Sequence, residues 1–210
     1  MFRALLLLLF IFIYSADDLS NAKIALSQGD YKIAVLTLND LANAENIEAQ
    51  ATLGFMYEQG EGVAQDYIVA FKWYEKAAKQ GHLASQNKIG YMYEFGQSVT
   101  QDYKEAFMWY EKAANSGFIQ AQYNIASMYY NGNSVVRNYK EAFKWYEKAS
   151  IQGYDKAQYN LGVMYDNGYG VEINKQKAYE LLQKSLNQGN PKAQAYITNF
   201  CKKNLEICKK

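Results

Sequence analysis

Few side chains in this chain can do chemistry, and their spacing narrows what they could do. Ser20-Asn21-Ala22-Lys23 fits the pattern S-x-x-K, in which a lysine helps a serine attack β-lactams or peptidoglycan peptides. The companion motifs S-D-N and K-T-G are absent from the sequence. His82 is the only histidine, so no second imidazole can complete a metal pair with it. With two cysteines besides, the usual three or four ligands of a zinc site are hard to assemble. The reading is that no cofactor and no metal are needed. Cys201 and Cys208 are the only thiols. On one continuous helix they would stand about 10 Å apart at ~1.5 Å per residue, beyond the roughly 7 Å that a disulfide spans. A bridge between them therefore requires the helix to end in between, near Asn204.

Composition removes other classes. Half the residues are apolar (50%), so a full core is available. Lys and Arg number 22 and Asp and Glu 21, for a net charge of +1. That balance argues against nucleic acid as a partner, which calls for a basic stripe. It also argues against disorder, which goes with low hydrophobicity and high net charge. Twenty tyrosines and a single proline demand an architectural explanation.

The first 16 residues read as an address. Arg3 is followed by an apolar run from Ala4 to Tyr14, shorter than the ~20 residues of a membrane helix, and then by Ser15-Ala16. This is the pattern of a secretory signal cleaved near Ala16. Tyr14 stands where a small residue is preferred, so an uncleaved, membrane-anchoring signal is the alternative. Losing Arg3 with the segment leaves basic and acidic residues equal in number. No later segment is apolar enough to span a membrane. The expected location is therefore periplasmic or secreted.

The remainder is one unit copied. Trp73, Trp109 and Trp145 are 36 residues apart. The same step links Met56, Met92, Met128 and Met164, and Gly60, Gly96, Gly132 and Gly168. Gln50, Gln86, Gln122, Gln158 and Gln194 follow it too. Each unit reads as two helices. The first runs roughly from Glu48 to Glu58 and is ended by Gly60, since glycine tolerates the left-handed conformation after a helix. The second starts at Asp66, Asp102, Asn138 or Asn174, all good N-caps, and carries a stripe such as Ala70, Trp73, Tyr74 and Ala77 at helical spacing. Such a hairpin buries its face only against neighbours, so the units must stack. The expected fold is all-α, a right-handed α–α superhelix or solenoid of 36-residue helix-turn-helix repeats. Four complete units occupy 48–83, 84–119, 120–155 and 156–191. A degenerate leading unit occupies 17–47, and a cap helix with a tail occupies 192–210. The tryptophans are expected to pack between units.

Ala121-Gln122-Tyr123-Asn124-Ile125-Ala126-Ser127-Met128-Tyr129, followed by Asn138-Tyr139-Lys140-Glu141-Ala142-Phe143-Lys144-Trp145-Tyr146-Glu147-Lys148-Ala149, resembles the consensus of Sel-one-like repeats (SLR), relatives of the tetratricopeptide fold. The resemblance covers 48–191 closely and 22–203 loosely. It implies an α-solenoid adaptor for a protein or peptide partner, with an inner face supplied by the first helices. Carried over position by position, that face holds Phe55, Tyr91, Tyr123, Tyr130 and Tyr159, rimmed by Glu58, Glu94 and Asp166. Spacing agrees, since positions 51 and 55, like 87 and 91, lie one turn apart on one face. The face reads as a mildly acidic aromatic groove, because aromatics with polar tips are typical interface anchors. The alternative is that neighbouring first helices half-bury these side chains for packing alone. Some cysteine-rich exported SLR proteins are labelled penicillin-binding or β-lactamase-like. Their cysteine pairs fall at places that here hold residues such as Ala78 and Asn87, which weakens transfer of that activity. A β-lactam-active enzyme through Ser20, and a structural spacer, stand as alternatives to the peptide-binding scaffold.

Overall fold

The computed structural model describes residues 18–209. The expected signal, residues 1–16, lies outside the described residues. Among the described residues all regular structure is helical. The chain divides into two compact units, one ending at Asp102 and the next starting at Tyr103. The division falls between the two helices of one repeat.

The first unit holds α1 (18–28), α2 (Tyr31–Asn43), α3 (Ile47–Gln59), α4 (Tyr67–Lys79) and α5 (Leu83–Phe95). Consecutive helices pack as antiparallel hairpins, α2 on α3, α3 on α4 and α4 on α5. Side chains fix the starts of α3 and α4. Asn46 Oδ1 accepts the Ala49 amide at 2.9 Å, and Asp66 Oδ1 accepts the amides of Ile68 at 2.9 Å and Val69 at 3.0 Å. These bonds satisfy donors that a helix start leaves orphaned. Gly60 ends α3 with φ 76°. The core here is small and aliphatic, built on Leu38, Leu41, Leu53 and Met56 with alanines between them.

The second unit holds α6 (Tyr103–Asn115), α7 (Ile119–Asn131), α8 (Tyr139–Ile151), α9 (Asp155–Asn167), α10 (Lys175–Asn187), α11 (Pro191–Lys203) and the short α12 (Leu205–Cys208). Pro191 is the first residue of α11, where its missing N–H costs nothing. The core is richer in aromatics, with Tyr146, Leu161, Met164, Tyr165 and Phe200 buried together. The second helices α6 and α8 dock on the next first helices by edge-to-face ring pairs, while α10 meets α11 through stacked Tyr179 and Phe200 rings. Phe107 meets Tyr129 at 5.5 Å and Phe143 meets Tyr165 at 5.3 Å. Phe71 meets Tyr93 at 5.6 Å in the same way within the first unit.

The glutamine column forms a second repeated contact. Gln80 Nε2 donates to Gln50 Oε1 at 2.8 Å, Gln152 to Gln122 at 2.9 Å, and Gln188 to Gln158 at 2.8 Å. Gln50 and Gln122 pass the bond on to the backbone carbonyls of Ala42 and Ala114. A buried amide thus ties three helices, and its chemistry explains why the period keeps glutamine and not an aliphatic residue.

Trp73 and Trp145 pack against the core clusters, as expected of the tryptophan column. The three tryptophans are nevertheless only half-buried, each with a lysine ammonium over its ring. Lys76 lies 4.1 Å from the Trp73 ring, Lys112 4.3 Å from Trp109 and Lys148 3.8 Å from Trp145. The enclosed aromatic column is one residue further on. Tyr74, Tyr110 and Tyr146 are buried, and Tyr74 lies over the small position of the facing helix α3. A Cβ added to Gly54 would stand 2.7 Å from the Tyr74 ring.

Candidate functional site

Two of the buried tyrosines, Tyr74 and Tyr146, matter for the inner face because their hydroxyls reach polar side chains of the first helices α3 and α7. In the first unit the Tyr74 hydroxyl donates to Glu58 Oε2 at 2.8 Å. Lys88 Nζ meets the other oxygen of the same carboxylate at 2.8 Å. Burial, and then the hydrogen bond and charge of Glu58, push the Tyr74 phenol well above its ordinary range. Glu58 is thus a paired carboxylate with a side chain only 12% exposed, and not an open acidic rim. Phe55 and Tyr91 are exposed on this unit. Tyr91 packs against Phe95 at 4.5 Å and lies under Lys88 at 5.4 Å. Glu94 is half-buried on α5, its backbone carbonyl accepting Gln101 Nε2 at 2.7 Å.

The second unit brings Tyr123, Tyr130 and Tyr159 together. They wall a cavity of about 280 Å³ whose floor is Ser127, Tyr146 and Asn160. Tyr123 and Ser127 sit one turn apart on α7, and Tyr159 and Asn160 come from α9. Tyr146 reaches in from α8, its hydroxyl 2.9 Å from Ser127 Oγ. Burial raises its pKa far above the ordinary value, opposed by the Ser127 and Asn160 hydrogen bonds. Tyr130 is raised by burial and then by the neighbouring Tyr169, Tyr139 and Tyr159 hydroxyls, against Arg137. Tyr159 is raised by burial and then by Tyr123. These phenols are neutral at ordinary pH, so the wall offers hydrogen-bond donors and no charge.

A second cavity of about 330 Å³ shares Tyr123, Tyr159 and Asn160, and adds Asp155, Lys156 and Lys192. Asp166, at the far end of α9, is held twice. The Tyr196 hydroxyl donates to Oδ2 at 2.6 Å and Lys175 Nζ meets Oδ1 at 2.6 Å. Like Glu58 it is neutralised where it stands.

Several contributors escaped the sequence reading. Tyr154 packs edge-on to Tyr123 at 5.3 Å. Tyr169 stacks on Tyr139 at 4.9 Å, and Tyr139 in turn supports Tyr130 at 5.1 Å. Tyr196 meets Tyr159 at 5.9 Å. None of Tyr154, Tyr169 and Tyr196 belongs to a copied tyrosine column, and that departure is the signal that could have found them. Tyr146 was hidden for the opposite reason, since its column reads as packing.

Cys201 and Cys208 are joined by a disulfide, with Cα atoms 5.6 Å apart. The helix breaks at Asn204 and α12 folds back. Ser20 and Lys23 are both exposed on α1. His82 caps α5, its Nδ1 accepting the Ser85 amide at 3.3 Å. Among the described residues no cluster of His, Cys, Asp and Glu could hold a metal ion. No described helix is long and apolar enough to cross a membrane.

A family model described as Sel1 repeat matches this chain at 47–82, 83–118, 119–154 and 155–190. Among solved structures, a protective antigen present in uropathogenic Escherichia coli strains and displaying an SLR fold matches with a TM-score of 0.84 and 31% identity, over 91% of this chain and 42% of its own. The chain thus spans less than half of that antigen. A Sel1 repeat protein from Oxalobacter formigenes matches at 0.80 and 29% identity, over 85% of this chain and 73% of its own. Helicobacter pylori cysteine rich protein B shares the fold, at 0.50 and 21% identity over 63% of this chain and 95% of its own. No curated protein matches the chain in sequence.

Proposed function

Because the chain belongs to the Sel1-repeat family, whose repeats generally mediate protein interactions, we propose that it is an exported, non-catalytic scaffold that binds a peptide segment of a partner protein along the tyrosine-walled face of its second unit. One observation carries this reading. Tyr123, Tyr130 and Tyr159 come from two successive first helices and converge on one open cavity, half-exposed and with their rings already braced by other tyrosines. Packing alone does not require an open, donor-lined cleft. Braced aromatics lose little side-chain freedom on binding, which is what makes them effective anchors. Affinity then comes from the rings, and selectivity from the columns that differ between repeats. The Cys201–Cys208 disulfide supports export, since such bonds persist in oxidising compartments.

The test is site-specific photo-crosslinking in the full-length chain within its native compartment. A benzophenone side chain at Val163, beside Tyr159 in the cavity, is expected to give an adduct of defined mass. The adduct is expected to vanish when Tyr123→Ala and Tyr159→Ala are combined. Val136, 90% exposed in a loop, is the control position. The same adducts from Val136, or their survival in the double variant, would defeat the reading and favour a spacer.

A further inference from the structure

The four complete repeats differ at one spot of the inner face. In the first, a carboxylate lies between a tyrosine hydroxyl and a lysine, as Glu58 does between Tyr74 and Lys88. In the fourth, the acid is Asp166, held by Tyr196 and Lys175. The second repeat carries Glu94 at the corresponding position. The third carries Tyr130. Two periods on from Glu58, Tyr74 and Lys88 stand Tyr130, Tyr146 and Asn160. The third repeat has therefore kept the buried hydroxyl and lost both the acid and its lysine.

What replaces them is the cavity of about 280 Å³. Its floor holds the Tyr146 hydroxyl, on a side chain only 2% exposed, with Ser127 Oγ and the Asn160 amide beside it. These groups can donate to a carboxylate, and among the described residues no acid lines this cavity. The adjoining cavity brings up Lys156 and Lys192 against a single acid, Asp155. Asp155 is already engaged by Asn190 Nδ2 at 3.0 Å. The surroundings thus favour an incoming negative charge, and the neutral donors supply the hydrogen bonds that a desolvated carboxylate needs.

We propose that this cavity receives an aspartate or glutamate side chain of the bound peptide, which supplies from outside the carboxylate that the other repeats carry themselves. The proposal rests on the peptide-binding reading above and narrows its ligand to an acidic segment. The acid anchors at Tyr146 and Asn160, and flanking apolar side chains rest on Tyr123, Tyr130 and Tyr159.

A phage-displayed library of randomised heptapeptides, selected on the full-length chain and read by sequencing, tests it. Selection on the natural sequence is expected to enrich Asp or Glu at one position of the peptide. A selected Glu peptide is expected to bind about tenfold more tightly than its Gln counterpart. Combining Tyr130→Glu with Asn160→Lys rebuilds the first repeat's set, and is expected to abolish the acid preference while the helical circular dichroism stays unchanged. Tyr146→Phe deletes only the hydroxyl and is expected to shrink the Glu-over-Gln ratio several-fold, so a poorly folded double variant does not block the decision. Peptides enriched without an acidic position, or a ratio unmoved by both variants, overturn this inference and leave peptide binding standing. No enriched peptide at all overturns both.

Discussion

Gly170 offers the sharpest test of how the tyrosine wall is held. It lies in the loop between α9 and α10 with φ 71°. A Cβ built there would stand within 2.7 Å of Lys140 N and still closer to the Tyr139 carbonyl group. The loop therefore lies directly on the backbone at the start of α8, and backbone cannot swing aside as a side chain can. Gly170→Ala carries two costs. The left-handed conformation costs alanine about 1–2 kcal/mol. Forcing loop and helix apart costs about 1–3 kcal/mol more, the range for overpacking. A smaller unfolded-state entropy gives back about 0.4–1 kcal/mol. The net loss is roughly 3 kcal/mol, about 10–20 °C in the melting midpoint of a unit this size. Gly153 is the control in the same unit, with φ 89° and nothing within 4 Å of its added Cβ. Gly153→Ala pays the conformational cost alone and is expected to lose about 1 kcal/mol or less. Urea and thermal melts followed by circular dichroism read both. Tyr169 stacks on Tyr139, which supports Tyr130, so Gly170→Ala is also expected to weaken crosslinking at Val163 where Gly153→Ala does not. Equal destabilisation by the two substitutions would refute the reasoning, because the close approach would then carry no weight.

Two further outcomes follow from the second unit. The native protein is expected to show no reactive thiol, and reduction is expected to cost about 2 kcal/mol for a loop this short, with sequence separation 7. Hydrogen exchange should place that loss in α11, α12 and the end of α10; two reactive thiols in the native protein would reject the staple and weaken the case for export. Alkaline pH is the other lever. Burial keeps Tyr146 protonated in the folded state to far above its ordinary pKa, whereas the unfolded phenol ionises near pH 10. Above pH ~10 the folded state binds the extra proton, so stability is fully present below that pH and falls as pH rises, by up to about 1.4 kcal/mol per pH unit for one such group. Tyr146→Phe is expected to flatten the fall, and an unchanged slope would show that the phenol titrates normally.

The period of 36 and the helical hairpins were legible because a repeat must reproduce its contacts. Met56, Gly60, Ala70 and their copies recur since each fills the same slot against the same neighbours. The caps at Asp66 and Asn138 were legible because an N-cap is a local event within three residues. That the tyrosine beside each tryptophan is the more enclosed ring was not legible, because size alone does not say which side of a helix faces inward. Trp73 and Tyr74 are adjacent on α4, and only the position of Gly54 on the facing helix decides that Tyr74 takes the enclosed place. Glu58 and Asp166 were placed on the inner face, but their neutralisation was not legible. The partners of Glu58 are Tyr74 and Lys88, 16 and 30 residues away, a separation set by the fold and not by any local spacing.

The informative positions are therefore those where a column breaks, and each break has a physical consequence. The Tyr165 column ends in Cys201. There Phe200, one residue earlier on α11, stacks on Tyr179 at 6.0 Å, and Cys201 is joined to Cys208 instead, with α12 against α10 and α11. The Tyr139 column ends in Lys175, which takes up the Asp166 carboxylate. Both of these breaks are repaired within the chain. Tyr130 in the acid column is different, because Tyr146 keeps its hydroxyl at the floor and no carboxylate of this repeat comes to meet it. A packing requirement would have restored the acid or removed the hydroxyl, as Leu182 does in the fourth repeat, where Asp166 finds Tyr196 instead. An open cavity above a retained donor is a break left unrepaired among the described residues that line it, and it is where an external group has something to gain.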